Sequence, residues 1–293
     1  MWIVETNPAR VRVVDAGGVI QTAASGLQQP IGVAIATDGK VYVADTGNHR
    51  VVSVLANGKV TVIAGDSAHP AFHGDGGPAR RAYLFEPYDV AVDDAGDLFI
   101  ADTGNSRVRE VDAATGKIRT VAGDGAAEFG GDGGQATDAH LQRPESIAVD
   151  GAGTTLYIAD TRNDRIRQVD LATGVITTIG GNGGFSGPFV PGATGLDTPM
   201  NHLNTIALDA EGNLYMVVDY TEFGNVIMQM SPDGGMTRVA GGGSSQDAGV
   251  AALDLSLPQV TALAIEPSTG ALLMASNEGV VYRIAGITTP GAP

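Results

Sequence analysis

Asp, Asn and Arg return at one spacing three times: Asp45, Asn48 and Arg50, then Asp102, Asn105 and Arg107, then Asp160, Asn163 and Arg165. A carboxylate, an amide and a guanidinium so close together are able to move protons, hold a cation or clamp an anion. A catalytic set, however, is built once from unlike residues, whereas a structural device is copied into every unit. The trio therefore reads as structural: the Asp and Asn side chains accept from turn amides, and the Arg ties one unit to its neighbour by charge-assisted bonds. The chain has no cysteine, which excludes a disulfide framework, a thiolate metal site and a Cys nucleophile. No GxSxG, P-loop or HExxH motif is present. The five histidines, His49, His69, His73, His140 and His202, are scattered along the chain, and only His140 and His202 stand where a new unit begins.

The elements that position these residues repeat with them. YVADTGNHRVVSV at 42–54 returns as FIADTGNSRVREV at 99–111 and as YIADTRNDRIRQV at 157–169. Asp45 and Asp102 are 57 positions apart and Asp102 and Asp160 are 58, the added residue falling in the turn at 151–155. A fixed period of this length marks one structural unit per repeat. Within Pro87 to Gly123 four short β-prone runs (89–92, 98–101, 108–111 and 118–122) are separated by Gly or Asp, the signature of a four-stranded meander. Such a sheet repeated about an axis is a β-propeller blade.

Six copies are legible, at approximately 1–26, 27–66, 84–123, 141–181, 199–242 and 255–287, and together they make 1–293 a single all-β domain. The first lacks its opening strand and the sixth its last, so 22 strands are expected where six full blades need 24. A ring must pair its ends or expose raw edges. The expectation is a six-bladed propeller with incomplete terminal blades, five blades being the other count. Gly (42) and Pro (14) fall in phase with the repeat and serve as turns. No linker divides the copies.

Functional residues are expected where the copies differ at equivalent places. Just after the Pro position that opens each inner strand, held by Leu203 in the fifth copy, stand Tyr88 and Asp89, Glu145, Asn204 and Gln259, polar and unlike one another. Converging at the mouth of a central channel, Asp89, Glu145 and Asn204 would supply oxygen ligands suited to Ca²⁺. The fifth copy is the outlier: it loses the Arg and the ADT motif, and Phe185, Phe189, Tyr220 and Phe223 are expected to line a pocket or partner surface on its loops. The segments GDGGPARRAYLFEP at 74–87 and GDGGQATDAHLQRP at 131–144 join outer to inner strands and read as flaps over the blade junctions, with a metal or ligand loop as the alternative.

With 17 basic against 33 acidic residues the formal charge is −16. A polyanion would meet a repulsive field, so nucleic acid is not an expected partner. No apolar run is long enough to span a membrane. Residues Met1 to Glu5 carry neither a basic nor an apolar leader region, so the protein is expected in the cytoplasm, or outside it if a leader has been removed.

The pattern PxxVAVDxxGxLYIADTxNxRVRxV, carried by 87–111 and 144–169, resembles the NHL repeat, and the GDGG spacer resembles the variant of bacterial secreted or cell-surface NHL proteins. The resemblance implies the propeller fold. It also implies one of several roles: binding module, sensor domain, RNA binder when basic, or amidating lyase with zinc and calcium. A three-His zinc site of the lyase kind is not evident here. An axial calcium site would be similar in placement to that of lactonase propellers, where the metal polarises a carbonyl. The expected function is a non-enzymatic domain binding a protein or small molecule through its loop-rich face. The alternative is a calcium-dependent hydrolase, lactonase or lyase working at the channel mouth.

Overall fold

Among the described residues, alternating apolar runs of three to seven residues, cut by turn glycines, fold into 22 strands and seven short 3₁₀ turns. The computed structural model describes residues 1–55, 57–184, 193–220, 224–245, 251–266 and 268–284, and of Tyr220 the backbone alone. The strands form six sheets that are the blades of a six-bladed β-propeller. The first is β1 (Trp2–Glu5), β2 (Arg10–Val14) and β3 (Ile20–Ser25). The second is β4 (Pro30–Ile35), β5 (Val41–Asp45), β6 (Arg50–Val54) and β7 (Val60–Ala64). The third is β8 (Pro87–Val92), β9 (Leu98–Asp102), β10 (Arg107–Val111) and β11 (Ile118–Ala122). The fourth is β12 (Pro144–Val149), β13 (Thr155–Asp160), β14 (Arg165–Asp170) and β15 (Val175–Gly180). The fifth is β16 (Ile206–Leu208), β17 (Leu214–Tyr220), β18 (Gly224–Met230) and β19 (Met236–Gly241), and the sixth β20 (Val260–Ile265), β21 (Leu272–Ser276) and β22 (Val281–Ile284). Among the described residues, the strand count and the two three-stranded terminal sheets are those expected from the repeat.

By contact density the chain divides into two compact units, 1–156 with 169–177, and 157–168 with 178–293. In the first, β5 and β9 are buried at every position. Their alternate side chains enter different cores. Val41, Val43 and Val52 pack with Val11 of the first sheet, while Ala44 and Val51 join Leu98, Ile100 and Ile118 of the third. A strand covered on both faces reads as a continuous apolar run, which explains VYVA and LFIA. In the second unit Tyr215, Val217 and Ile227 pack against Leu272 and Met274.

Side-chain hydrogen bonds repeat from sheet to sheet in the first unit. The hydroxyls of Thr6, Thr46 and Thr103 donate to the carbonyls of Pro30, Pro87 and Pro144, at 3.0, 2.7 and 2.6 Å. Each Thr thus fixes the residue that opens the next inner strand. All seven left-handed non-glycine residues among those described fall at two repeated places: Gln29, Glu86, Arg143 and His202 just before an inner strand, and His49, Ser106 and Asp164 after a 3₁₀ turn. Such backbone is costly for a side chain and persists where surrounding bonds enforce it. His49 Nδ1 accepts from the Glu86 amide at 3.2 Å, and Asp164 Oδ1 accepts from the His202 amide at 3.2 Å.

The GDGG spacers are edge covers. Gly76 donates to Ile118 O, Ile118 to Gly77 O and Ala79 to Gly116 O at 2.8 to 3.0 Å, so the spacer adds itself to the outer strand β11. The second spacer meets β15 in the same way, with Gly133 donating to Ile176 O and Ile176 to Gly134 O. Unpaired outer edges template unwanted pairing, and these segments occupy them.

Candidate functional site

Two places deserve a functional reading: the start of the inner strands and the loop end where spacers meet the second-to-third-strand turns. Asp89 is the third residue of β8, beside a register shift between Pro87 and Asp89. Its Oδ1 accepts from the Val90 amide at 2.8 Å, and its Oδ2 from Ser146 Oγ at 2.8 Å and the Ile147 amide at 3.0 Å. The carboxylate therefore ties β8 to β12. Burial pushes its pKa up to about 6, against the opposing pull of the Ile147 amide, the Ser146 hydroxyl and the Val90 amide. On its other side a Cβ at Gly32 would lie 2.6 Å from Asp89 Cα, so only glycine lets β4 approach this closely. Thr205 is the counterpart in the fifth sheet, its Oγ1 accepting from the Leu263 amide at 3.3 Å.

Of the other inner-strand candidates, Tyr88, Glu145 and Gln259 are engaged in local pairs. Arg143 donates through Nε to Glu145 Oε1 at 3.1 Å and through an NH₂ group to the Tyr88 hydroxyl at 2.8 Å, its guanidinium 5.1 Å from the Tyr88 ring centre. Gln259 Oε1 accepts from Asn277 Nδ2 at 3.0 Å. Asn204 lies in the second unit, and its buried Oδ1 has no hydrogen-bond partner among the described residues; neither does that of Asn201, which is 4% exposed. No group of three or more His, Asp or Glu among the described residues is arranged to hold a metal.

The repeated trio is held in two different ways. Asp45 accepts from the Gln28 amide at 2.7 Å, Asn48 Nδ2 at 2.9 Å and Arg50 Nε at 2.7 Å. Asp102 accepts from the Phe85 amide at 2.8 Å and Asn105 Nδ2 at 2.9 Å, but its arginine is Arg109, at 3.3 Å, and not Arg107. Asp160 likewise takes Asn163 at 2.8 Å and Arg167 at 3.3 Å. Arg109 and Arg167 are fully buried, where the second sheet has Val52. That valine offers no charge, so Arg50 turns to Asp45. Arg109 also pairs with Asp75 of the spacer, whose Oδ2 accepts from Thr120 N and Oγ1 at 3.1 and 2.7 Å. Arg107 and Arg165 cap carbonyls, those of Asn105 at 3.0 Å and Asn163 at 2.7 Å.

Loops gather at this end. Asn105 Nδ2 donates to Ala71 O at 2.8 Å, and Arg107 lies 3.8 Å from the ring centre of Phe72. Phe72 is 39% exposed and Phe129, at the same place in the next spacer, 42%. Tyr83 is stacked on His69 at 4.7 Å and tilted against His73 at 5.2 Å. The histidines have separate partners: His69 Nδ1 is 3.1 Å from Asp66, His140 Nδ1 2.9 Å from Asp124 and His202 Nδ1 3.7 Å from Asp219. Phe185, Phe189 and Phe223 lie outside the described residues, and Tyr220 closes β17 with its backbone. In the fifth sheet Val218 faces Val226, where Asp102 faces Arg107 in the third.

Sequence reasoning named Arg107 and Arg165 and passed over Arg109, Arg167, Phe72 and Phe129. The signals were an Arg inside a strand where the second copy has Val52, and a Phe two residues before each GDGG.

The NHL repeat model matches residues 27–52 and 86–110, and the Teneurin NHL domain model residues 125–192. Teneurin-3 of Mus musculus is 27% identical over 295 residues, covering 92% of this chain and 10% of its own. NHL repeat-containing protein 2 of Bos taurus is 31% identical over 164 residues, covering 53% and 22%. The chain thus spans a small part of the curated relatives it matches. Among solved structures, virginiamycin B lyase from Staphylococcus aureus superposes with a TM-score of 0.58 at 12% identity, covering 98% of this chain and 76% of its own. A chain of the nidogen/laminin complex gives 0.59 at 14%, covering 97% and 92%. These likenesses show the fold.

Proposed function

We propose that this NHL-type β-propeller is a non-catalytic binding domain that takes a protein partner on its spacer-bearing end. The observation that carries this reading is the pair Phe72 and Phe129, exposed at the same place in successive spacers. Aromatic side chains set in a polar rim, with Arg107 beside Phe72, are the residues on which interfaces concentrate their binding energy. The nidogen/laminin likeness is to a chain from a protein–protein complex, which is consistent with this use of the fold. The inner-strand carboxylates favour it too, because Asp89 and Glu145 already serve amides, a hydroxyl and an arginine.

The second reading is a calcium-dependent hydrolase or lyase at the channel mouth. It draws on the unpartnered buried oxygens of Asn201 and Asn204, which are donors of the kind Ca²⁺ takes. Proteins retained by the immobilised domain separate the two readings. Phe72→Ala with Phe129→Ala should lose the partner, while Glu145→Ala with Asn204→Ala should keep it. The reverse pattern would move the site to the inner strands.

A further inference from the structure

A cleft of about 650 Å³ opens between the second and third sheets, at the end where the tight turns lie. Its walls are Ala36, Tyr42, Ile63, Leu98 and Val111, and its rim carries Lys40, Arg80, Asp38, Asp94 and Asp112. The volume falls within the range of small-molecule sites.

At the corresponding place between the third and fourth sheets, side chains and a turn pack over the blade junction. Gln135 donates through Nε2 to Thr173 O at 3.3 Å, and a Cβ at Gly174 would meet Gln135 Oε1 at 2.7 Å. The turn with the added residue packs in as well, Gly151 O accepting from the Asp94 amide at 3.0 Å. In the open cleft Pro78 stands where Gln135 stands in its copy, and a Cβ at Gly116, the counterpart of Gly174, would meet nothing within 4 Å. One junction of the repeated pair thus carries a glutamine over its turn glycine, and the other leaves that glycine uncovered.

The charges in the cleft are not equally available. Asp112 Oδ1 accepts from Thr115 N at 2.7 Å and Oγ1 at 2.8 Å. The Asp94 carboxylate lies against Gly151, and Asp38 accepts from the Lys40 amide at 2.9 Å. Lys40 Nζ is 3.7 Å from Asp38 in an exposed pair and 5.8 Å from the Tyr42 ring centre, and exposed pairs hold their partners weakly. Arg80 has no hydrogen bond or ion pair among the described residues.

We propose that this cleft is a site for a small organic anion with an apolar body, its carboxylate held by Arg80 and Lys40 and its body laid along Tyr42, Leu98 and Val111. A planar carboxylate matches the guanidinium fork, and the apolar wall covers the remainder.

The test uses benzoate, neutral benzamide and cationic benzylamine as probes, with two variants that install what the repeat already tolerates in the neighbouring copy. Amide NMR shifts on titration are expected to saturate at Tyr42, Leu98 and Val111, with benzoate bound about tenfold more tightly than benzamide and benzylamine not bound. Arg80→Thr should remove the preference for benzoate over benzamide. Pro78→Gln should close the cleft to both while leaving the melting temperature unchanged. The proposal is overturned by benzoate shifts that never saturate or fall elsewhere, by a tighter benzylamine, or by Arg80→Thr or folded Pro78→Gln binding benzoate as wild type does.

Discussion

Arg109 and Arg107 stand two positions apart on β10 and carry unequal weight. Arg109 is fully buried and holds Asp102 and Asp75, two carboxylates from different segments. Arg109→Ala leaves the buried Asp102 without its cation, a loss of about 3–5 kcal/mol. Arg107 is half-buried and caps carbonyls, so Arg107→Ala should cost about 1 kcal/mol. Urea unfolding of the two variants checks the order, and an equal or larger loss for Arg107→Ala would contradict it. Asp89 gives a pH dependence of known sign. Its pKa is raised in the folded state to about 6 from 3.8, so folding binds a proton between those values. This group therefore adds stability as pH falls through about 6, the gain being complete near pH 4. The stability of wild type relative to Asp89→Asn should rise between about pH 7.5 and pH 4.5. A flat or falling difference would mean that the three donors keep the carboxylate ionised.

At the scale of elements, the spacers convert blade edges into paired strands. Asp75 clamps its spacer by accepting from Arg109 and Thr120. Asp75→Ala should speed amide exchange of Ile118 and Thr120 in β11 and leave β7 unchanged. Uniform exchange across both strands would show that the backbone bonds alone hold the cover. The strands themselves were legible in the sequence because each is a short apolar run ended by glycine or aspartate, as in Leu98–Asp102 and Ile118–Ala122. What the sequence did not disclose are features that one copy cannot reveal about itself. The repeated register shifts at Val51/Val52 and Val108/Arg109 leave no residue-type mark. The exchange of Arg50 for Arg109 as partner of the repeated Asp depends on Val52, one strand position that a pattern of apolar alternation accepts without comment. Asp89 was legible as unusual, but its bonds to Ser146 and Ile147 depend on the approach of β12. Phe185, Phe189 and Phe223 lie outside the described residues, so the expectation of a fifth-blade surface stands as a proposal.

At the scale of the whole molecule, a formal charge of −16 sets the long-range behaviour. The domain should pass immobilised single-stranded RNA without retention at about 0.15 M salt, where screening is moderate; firm binding would point to a concentrated basic patch that the net charge conceals. The central claim is that this fold binds with its loop end and does no metal chemistry at its inner strands. Elemental analysis of protein purified without chelators, paired with thermal melts in calcium and in chelator, tests that claim most directly. The account predicts no stoichiometric metal and coincident melts. One Ca²⁺ per chain, with a melt that falls when it is removed, would contradict it and place the chemistry at the inner strands.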